Sequence, residues 1–84
     1  ESQGVLICGS GIGMSIAANR HSHVRAALVC TPGQATLSRQ HNNANVLCLG
    51  ARQIDAQTAR DCLQHFLATE FEGGRHQARV AKFS

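Results

Sequence analysis

Three short apolar runs constrain what this chain can become: "GVLIC" (4–8), "VRAALVC" (24–30) and "NVLCLG" (45–50). Each is rich in valine and leucine and bounded by polar or glycine-rich segments, which predicts strands. Helical signals fill the gaps between them. Thr31, Pro32 and Gln34 read as N-cap, first helical residue and the returning arm of a capping box. A helix is therefore expected to about His41, with a stop at Asn42 and Asn43. From Asp55 to Ala68, residues Ala59, Cys62, Leu63, Phe66 and Leu67 fall at i, i+3, i+4, i+7 and i+8, which is one apolar helical face. Gly73 and Gly74 then break the chain before a last basic segment, "RHQARVAKFS".

Strands alternating with helices imply βαβ units, a parallel sheet and right-handed crossovers. Near-continuous apolar strands fit a sheet covered on both faces. Only three strands are foreseen in 84 residues, and the chain opens on a strand of central character. The expectation is an α/β fold whose N-terminal strands are missing, with 1–84 forming the C-terminal part of one domain. A chain of this size buries only about 60% of its unfolded surface and is marginal by itself.

Charge and cysteine usage exclude several functions. The formal charge is +3, but Lys82 is the only lysine and the arginines are scattered. Without a basic block, tryptophan or tyrosine, nucleic-acid binding is disfavoured. Arginine suits bidentate capture of phosphate or carboxylate, so a small anionic ligand fits better. Cys8, Cys30, Cys48 and Cys62 show no C-x-x-C pairing, which speaks against zinc, and a disulfide framework would need a secretory context. Cys30, Cys48 and Cys62 fall within predicted strands or helix faces, where a free cysteine acts as a small hydrophobe. No apolar run is long enough for a membrane span and no signal peptide is evident, so the expected location is the cytoplasm.

Cys8 stands apart, at the end of its run and directly before Gly9, Ser10, Gly11 and Gly13. The pattern departs from the dinucleotide fingerprint, because Met14 replaces its third glycine and the ribose-binding acid is missing. What remains is a turn of backbone N–H groups before a helix, suited to an anion. Cys8 is then either a reactive thiolate at the carboxyl end of a strand or a buried strand-end cysteine. His21 and His23 look like solvated loop residues, and His65 lies near the apolar stripe of the last helix. His41 sits at a helix end beside Asn42, either a site or a helix stop. Arg75 and Arg79, four apart with Lys82 beyond, share a helical face that is either a solvated tail or an anion clamp. Arg52 follows the third strand.

Together "CGSGIGMSIAAN", "LSRQHNNANVLCLGAR" and "EGGRHQARV" closely resemble the ribose-5-phosphate isomerase B family, which includes the allose- and galactose-6-phosphate isomerases. The likeness covers nearly the whole chain and corresponds to the C-terminal portion of a member. It implies a Rossmann-like three-layer α/β/α sandwich that pairs as dimers or dimers of dimers with shared active sites. It also implies a cofactor- and metal-free aldose–ketose isomerisation of a sugar phosphate, ribose 5-phosphate to ribulose 5-phosphate, through an enediolate. Cys8 would be the base that takes the C2 proton. Gly9, Ser10, Gly11 and Gly13 would offer donors to the oxyanion. His41 would assist ring opening, Asn42 would bind substrate oxygens, and Arg75 and Arg79 would hold the phosphate. Arg52 would contribute from a neighbouring subunit. Members that use a glutamate base carry it in the helix after the glycine turn, and no acid stands there in this chain. The family's Asp-His pair on its first strand has no counterpart here, so these 84 residues alone are expected to be inactive. The alternative is a non-catalytic phosphate-binding or interaction fragment.

Overall fold

The apolar runs form parallel strands β1 (Gly4–Cys8), β2 (Ala26–Leu28) and β3 (Val46–Gly50), ordered β1-β3-β2. Helices α1 (Ile12–Ala18), α2 (Pro32–Asn42) and α3 (Ala56–Ala68) alternate with them. The computed structural model describes residues 3–71 and 80–81. Central β3 is the most deeply covered strand, with Leu47, Cys48 and Leu49 buried. Leu47 and Leu49 join Val29, Ala35, Ala44, Cys62 and Phe66 in one core between the sheet and the α2–α3 layer. Burying a side chain such as Phe66 or Leu47 contributes about 1.5–3 kcal/mol. The sheet is not covered on both faces along its whole width. On edge strand β1, Val5 and Ile7 are 40% and 61% exposed.

β2 is shorter than the apolar run that forms it, because side chains take over its entry. The Arg25 N–H donates to Asn45 Oδ1 at 2.8 Å, and Asn45 Nδ2 donates to the His23 carbonyl at 2.7 Å. Beyond its other end Cys30 is exposed, which corrects its expected packing as a small hydrophobe. Cys48 and Cys62 are buried as foreseen, and burial pushes both thiols above their ordinary value.

At the start of α2, Thr31 Oγ1 accepts from the Gln34 N–H at 3.1 Å. Gln34 reaches back one residue further than a capping box requires, its Oε1 accepting from the Cys30 N–H at 2.6 Å. The helix ends as Asn43 turns left-handed at φ 48°, its N–H meeting the Arg39 and Ser38 carbonyls. Arg39 fastens this end. Its Nε donates to the Thr69 carbonyl at 3.0 Å, Nη1 reaches Asn43 and Ala44, and its guanidinium lies 5.7 Å from the Phe66 ring centroid. Asp55 caps α3 by accepting the Thr58 N–H at 2.7 Å. Of the foreseen stripe on α3, Cys62 and Phe66 are fully buried and Ala59 and Leu63 partly so, but Leu67 is 57% exposed.

One topological consequence governs the site. In a parallel sheet each crossover helix returns the chain to the starting end of the next strand. α2 has 11 residues, about 16 Å of helix, so its first and last turns lie at opposite ends of the sheet.

Candidate active site

Cys8 closes β1 and pairs with Gly50, the last residue of β3, so it lies at the carboxyl end of the sheet. The chain then turns sharply. Gly11 adopts φ 80°, a left-handed conformation that glycine enters without steric cost, and α1 begins at the next residue. The turn aims the Gly11 N–H at Cys8 Sγ, 3.0 Å away. The N–H of Gly11, one of the expected oxyanion donors, is thus directed at the sulfur. Ser10 Oγ accepts from the Ile12 N–H at 3.2 Å, and Ser10 is exposed. Gly13 is the second residue of α1, with open space where a side chain would stand.

The segment after β3 cradles this turn. The Ala51 N–H donates to the Cys8 carbonyl at 2.6 Å, and the Arg52 N–H to the Gly9 carbonyl at 2.9 Å. A Cβ on Gly9 would stand 3.2 Å from Arg52 Nε, so the guanidinium lies against the turn of its own chain. A Cβ on Gly50 would stand 2.5 Å from the Ser10 carbonyl oxygen, so only glycine lets the two backbones meet. Cys8, Gly9, Ser10, Gly11 and Arg52 thus form one cluster. Beneath them Cys48 lies on the same sheet face as Cys8. Burial raises its thiol first and the neighbouring Cys8 adds to the effect, which keeps Cys48 neutral.

His41 and Asn42 occupy the last turn of α2, half-buried, at the opposite end of the sheet from Cys8. Asn42 lines a cavity of about 350 Å³ with Asn19, Arg25, Ala26, Ala27 and Ala44. Within one chain, then, the two groups of expected site residues are not brought together. Arg75 and Arg79 lie outside the described residues. Among the described residues, no three His, Cys, Asp or Glu side chains cluster to hold a metal, and no helix is long and apolar enough to cross a membrane.

Sequence reasoning overlooked the polar residues that shape these two ends. The Asn19 side chain pairs with both main-chain groups of Ala26, at 2.9 and 2.7 Å, and so occupies the outer edge of β2. Arg25 is only 8% exposed, its Nε donating to the Asn43 carbonyl at 2.8 Å. An arginine within an apolar run was the one available signal.

A parallel β1-β3-β2 sheet with a thiol at the mouth of a glycine turn defines an α/β protein with its candidate site at the carboxyl end of the sheet. The profile of the Ribose/Galactose Isomerase family matches residues 1–83, and the chain belongs to that family. A putative sugar phosphate isomerase of Rickettsia bellii is 53% identical over 79 residues, covering 94% of this chain and 55% of that protein. Ribose-5-phosphate isomerase B of Escherichia coli is 48% identical over 77 residues, covering 92% of this chain and 52% of that protein. Among solved structures, ribose 5-phosphate isomerase B from Anaplasma phagocytophilum superposes with a TM-score of 0.95 at 60% identity, covering 99% of this chain and 57% of that one. The Mycoplasma genitalium enzyme, solved with ribulose-5-phosphate bound, gives 0.93 at 49% identity, covering 95% and 53%. The chain spans about half the length of the curated relatives it matches.

Proposed function

We propose that the protein works as an aldose–ketose isomerase on a sugar phosphate, interconverting ribose 5-phosphate and ribulose 5-phosphate. The observation that carries this reading is the Gly11 N–H donated to Cys8 Sγ at 3.0 Å. The turn places the sulfur at the carboxyl end of β1 beside backbone N–H donors, and a thiolate at such a place can take a carbon-bound proton. In the forward direction Cys8 removes the C2 proton, and the C2–H electron pair becomes the C1–C2 double bond. The carbonyl π electrons move onto O1. Donors of the Gly9–Gly13 turn, with the Ser10 hydroxyl, stabilise the resulting enediolate. Cys8 returns the proton to C1 while the O2 proton passes to O1, leaving the C2 ketone. Arg75 and Arg79 hold the phosphate, Arg52 adds positive charge beside the turn, and remote phosphate binding positions C2.

His41 acts on ring opening, and Asn42 binds substrate oxygens. Their place at the far end of the sheet supports a two-fold pairing in which one copy offers Cys8 and the other offers His41 and Asn42. The active form is accordingly a dimer or a pair of dimers, working in the cytoplasm on pentose phosphates of the pentose phosphate pathway. The bound ribulose-5-phosphate in the Mycoplasma genitalium relative supports that substrate class. The deciding experiment is Cys8→Ala assayed in deuterated water. Exchange of the C2 proton should be lost while sugar-phosphate binding stays within a few fold. Wild-type exchange in Cys8→Ala would remove Cys8 from the reaction.

A further inference from the structure

Leu28 is a large apolar side chain left 37% exposed at the end of the short edge strand β2. Its register partner on β3 is Cys48, which also pairs with Leu6, so Leu28 and Cys8 share one face of the sheet. Leu28 Cδ1 lies 2.4 Å from the point where a Cβ on Gly11 would stand. That same point is 3.2 Å from the Gly50 nitrogen and 3.3 Å from the Leu49 carbonyl carbon. The Gly11 α-carbon therefore sits in a slot. It is lined by main chain of β3, which no side-chain substitution removes, and by the side chain of Leu28.

Gly11 is also the residue whose N–H reaches Cys8 Sγ. Glycine visits positive and negative φ with equal ease, so its own conformational preference does not hold the left-handed form. A hydrogen bond weakens steeply once its angle falls below about 120°, so a modest rotation at Gly11 takes the N–H off the sulfur. We propose that Leu28 is a positioning residue for Cys8, acting through Gly11: its side chain keeps the Gly11 N–H directed at the sulfur. The proposal rests on the reading of Cys8 as the reactive thiolate of the isomerase.

The test is alkylation by iodoacetamide at neutral pH, a neutral reagent that needs no phosphate site, with each cysteine followed separately by peptide mass spectrometry. In Leu28→Ala the Cys8 rate should fall about three- to tenfold, because the hydrogen bond from the Gly11 N–H to the sulfur is weakened or lost. The exposed Cys30 should keep its rate, and Leu28→Met, which refills the slot, should bring Cys8 back to within about twofold of wild type. An unchanged or faster Cys8 rate in Leu28→Ala, equal slowing of Cys8 and Cys30, or no recovery in Leu28→Met overturns the proposal. Cys48 and Cys62 are fully buried, so their labelling reports unfolding. If they label in Leu28→Ala, Leu28→Val is judged by the same criterion. Failure of the isomerase reading is seen elsewhere, as proton exchange that survives Cys8→Ala.

Discussion

Gly50→Ala puts one methyl group at the seam between β3 and the Cys8 turn. Its carbon would fall 2.5 Å from the Ser10 carbonyl oxygen and 2.7 Å from the Ser10 carbonyl carbon. Both are main-chain atoms, so no side chain can swing aside and the turn itself must retreat. Overpacking of this kind costs about 1–3 kcal/mol. The retreat also stretches the Ala51-to-Cys8 and Arg52-to-Gly9 hydrogen bonds that straddle the seam, each with a net contribution of about 0.5–1.5 kcal/mol. A total loss of about 2–4 kcal/mol is expected. Gly13→Ala is the control, because the same methyl group meets no atom within 4 Å and stands in the first turn of α1. Replacing a helical glycine there should add about 0.5–1 kcal/mol. Urea unfolding followed by circular dichroism reads both variants, and the two midpoints should move in opposite directions. A Gly50→Ala variant as stable as wild type would refute the close approach of the two backbones.

Further outcomes follow from the proposed function and from the cap on α3. Arg75→Ala or Arg79→Ala should weaken binding of a phosphorylated sugar by about 1.5–3 kcal/mol and leave an unphosphorylated sugar almost unaffected, measured by titration calorimetry. Equal losses on both ligands would assign these residues a structural role. His41→Asn should slow isomerisation of the cyclic sugar far more than that of an open-chain analogue, and identical losses would remove it from ring opening. The Asp55 carboxyl is held below its ordinary value chiefly by the Thr58 N–H. Its contribution is present above the unfolded value of about 3.9 and is lost as pH falls through the lower folded value. Asp55→Asn keeps a cap without the charge and should flatten the stability–pH slope in that acid range; an unchanged slope would contradict the cap.

Much of the architecture was legible because it rests on local chemistry. "GVLIC" became a strand with the foreseen bounds, and Thr31 and Pro32 opened α2 as their types require. Cys8 could be singled out because a thiol next to a glycine turn conflicts with a purely structural role. What the sequence hid depends on groups distant in the chain. β2 begins late because Asn45, twenty residues on, bonds the Arg25 N–H. Cys30 looked like a packed strand residue, yet it stands exposed two residues past the end of β2 at Leu28. Arg52 stands against Gly9 of its own chain, a contact between two different loops that no local motif encodes. The separation of Cys8 from His41 follows from the direction of α2, and no motif encodes a direction in space.

That separation makes the central claim directly measurable in the full-length protein. Cys8→Ala and His41→Ala, each close to inactive alone, are unfolded together, refolded as a mixture and assayed on ribose 5-phosphate. If one copy supplies Cys8 and its two-fold mate supplies His41, each mixed dimer holds one site with both lesions and one intact site. Random pairing then predicts recovery of about a quarter of wild-type activity. A mixture no more active than its separate components would mean that Cys8 and His41 never complete one site across the interface, and the shared-site account would be wrong.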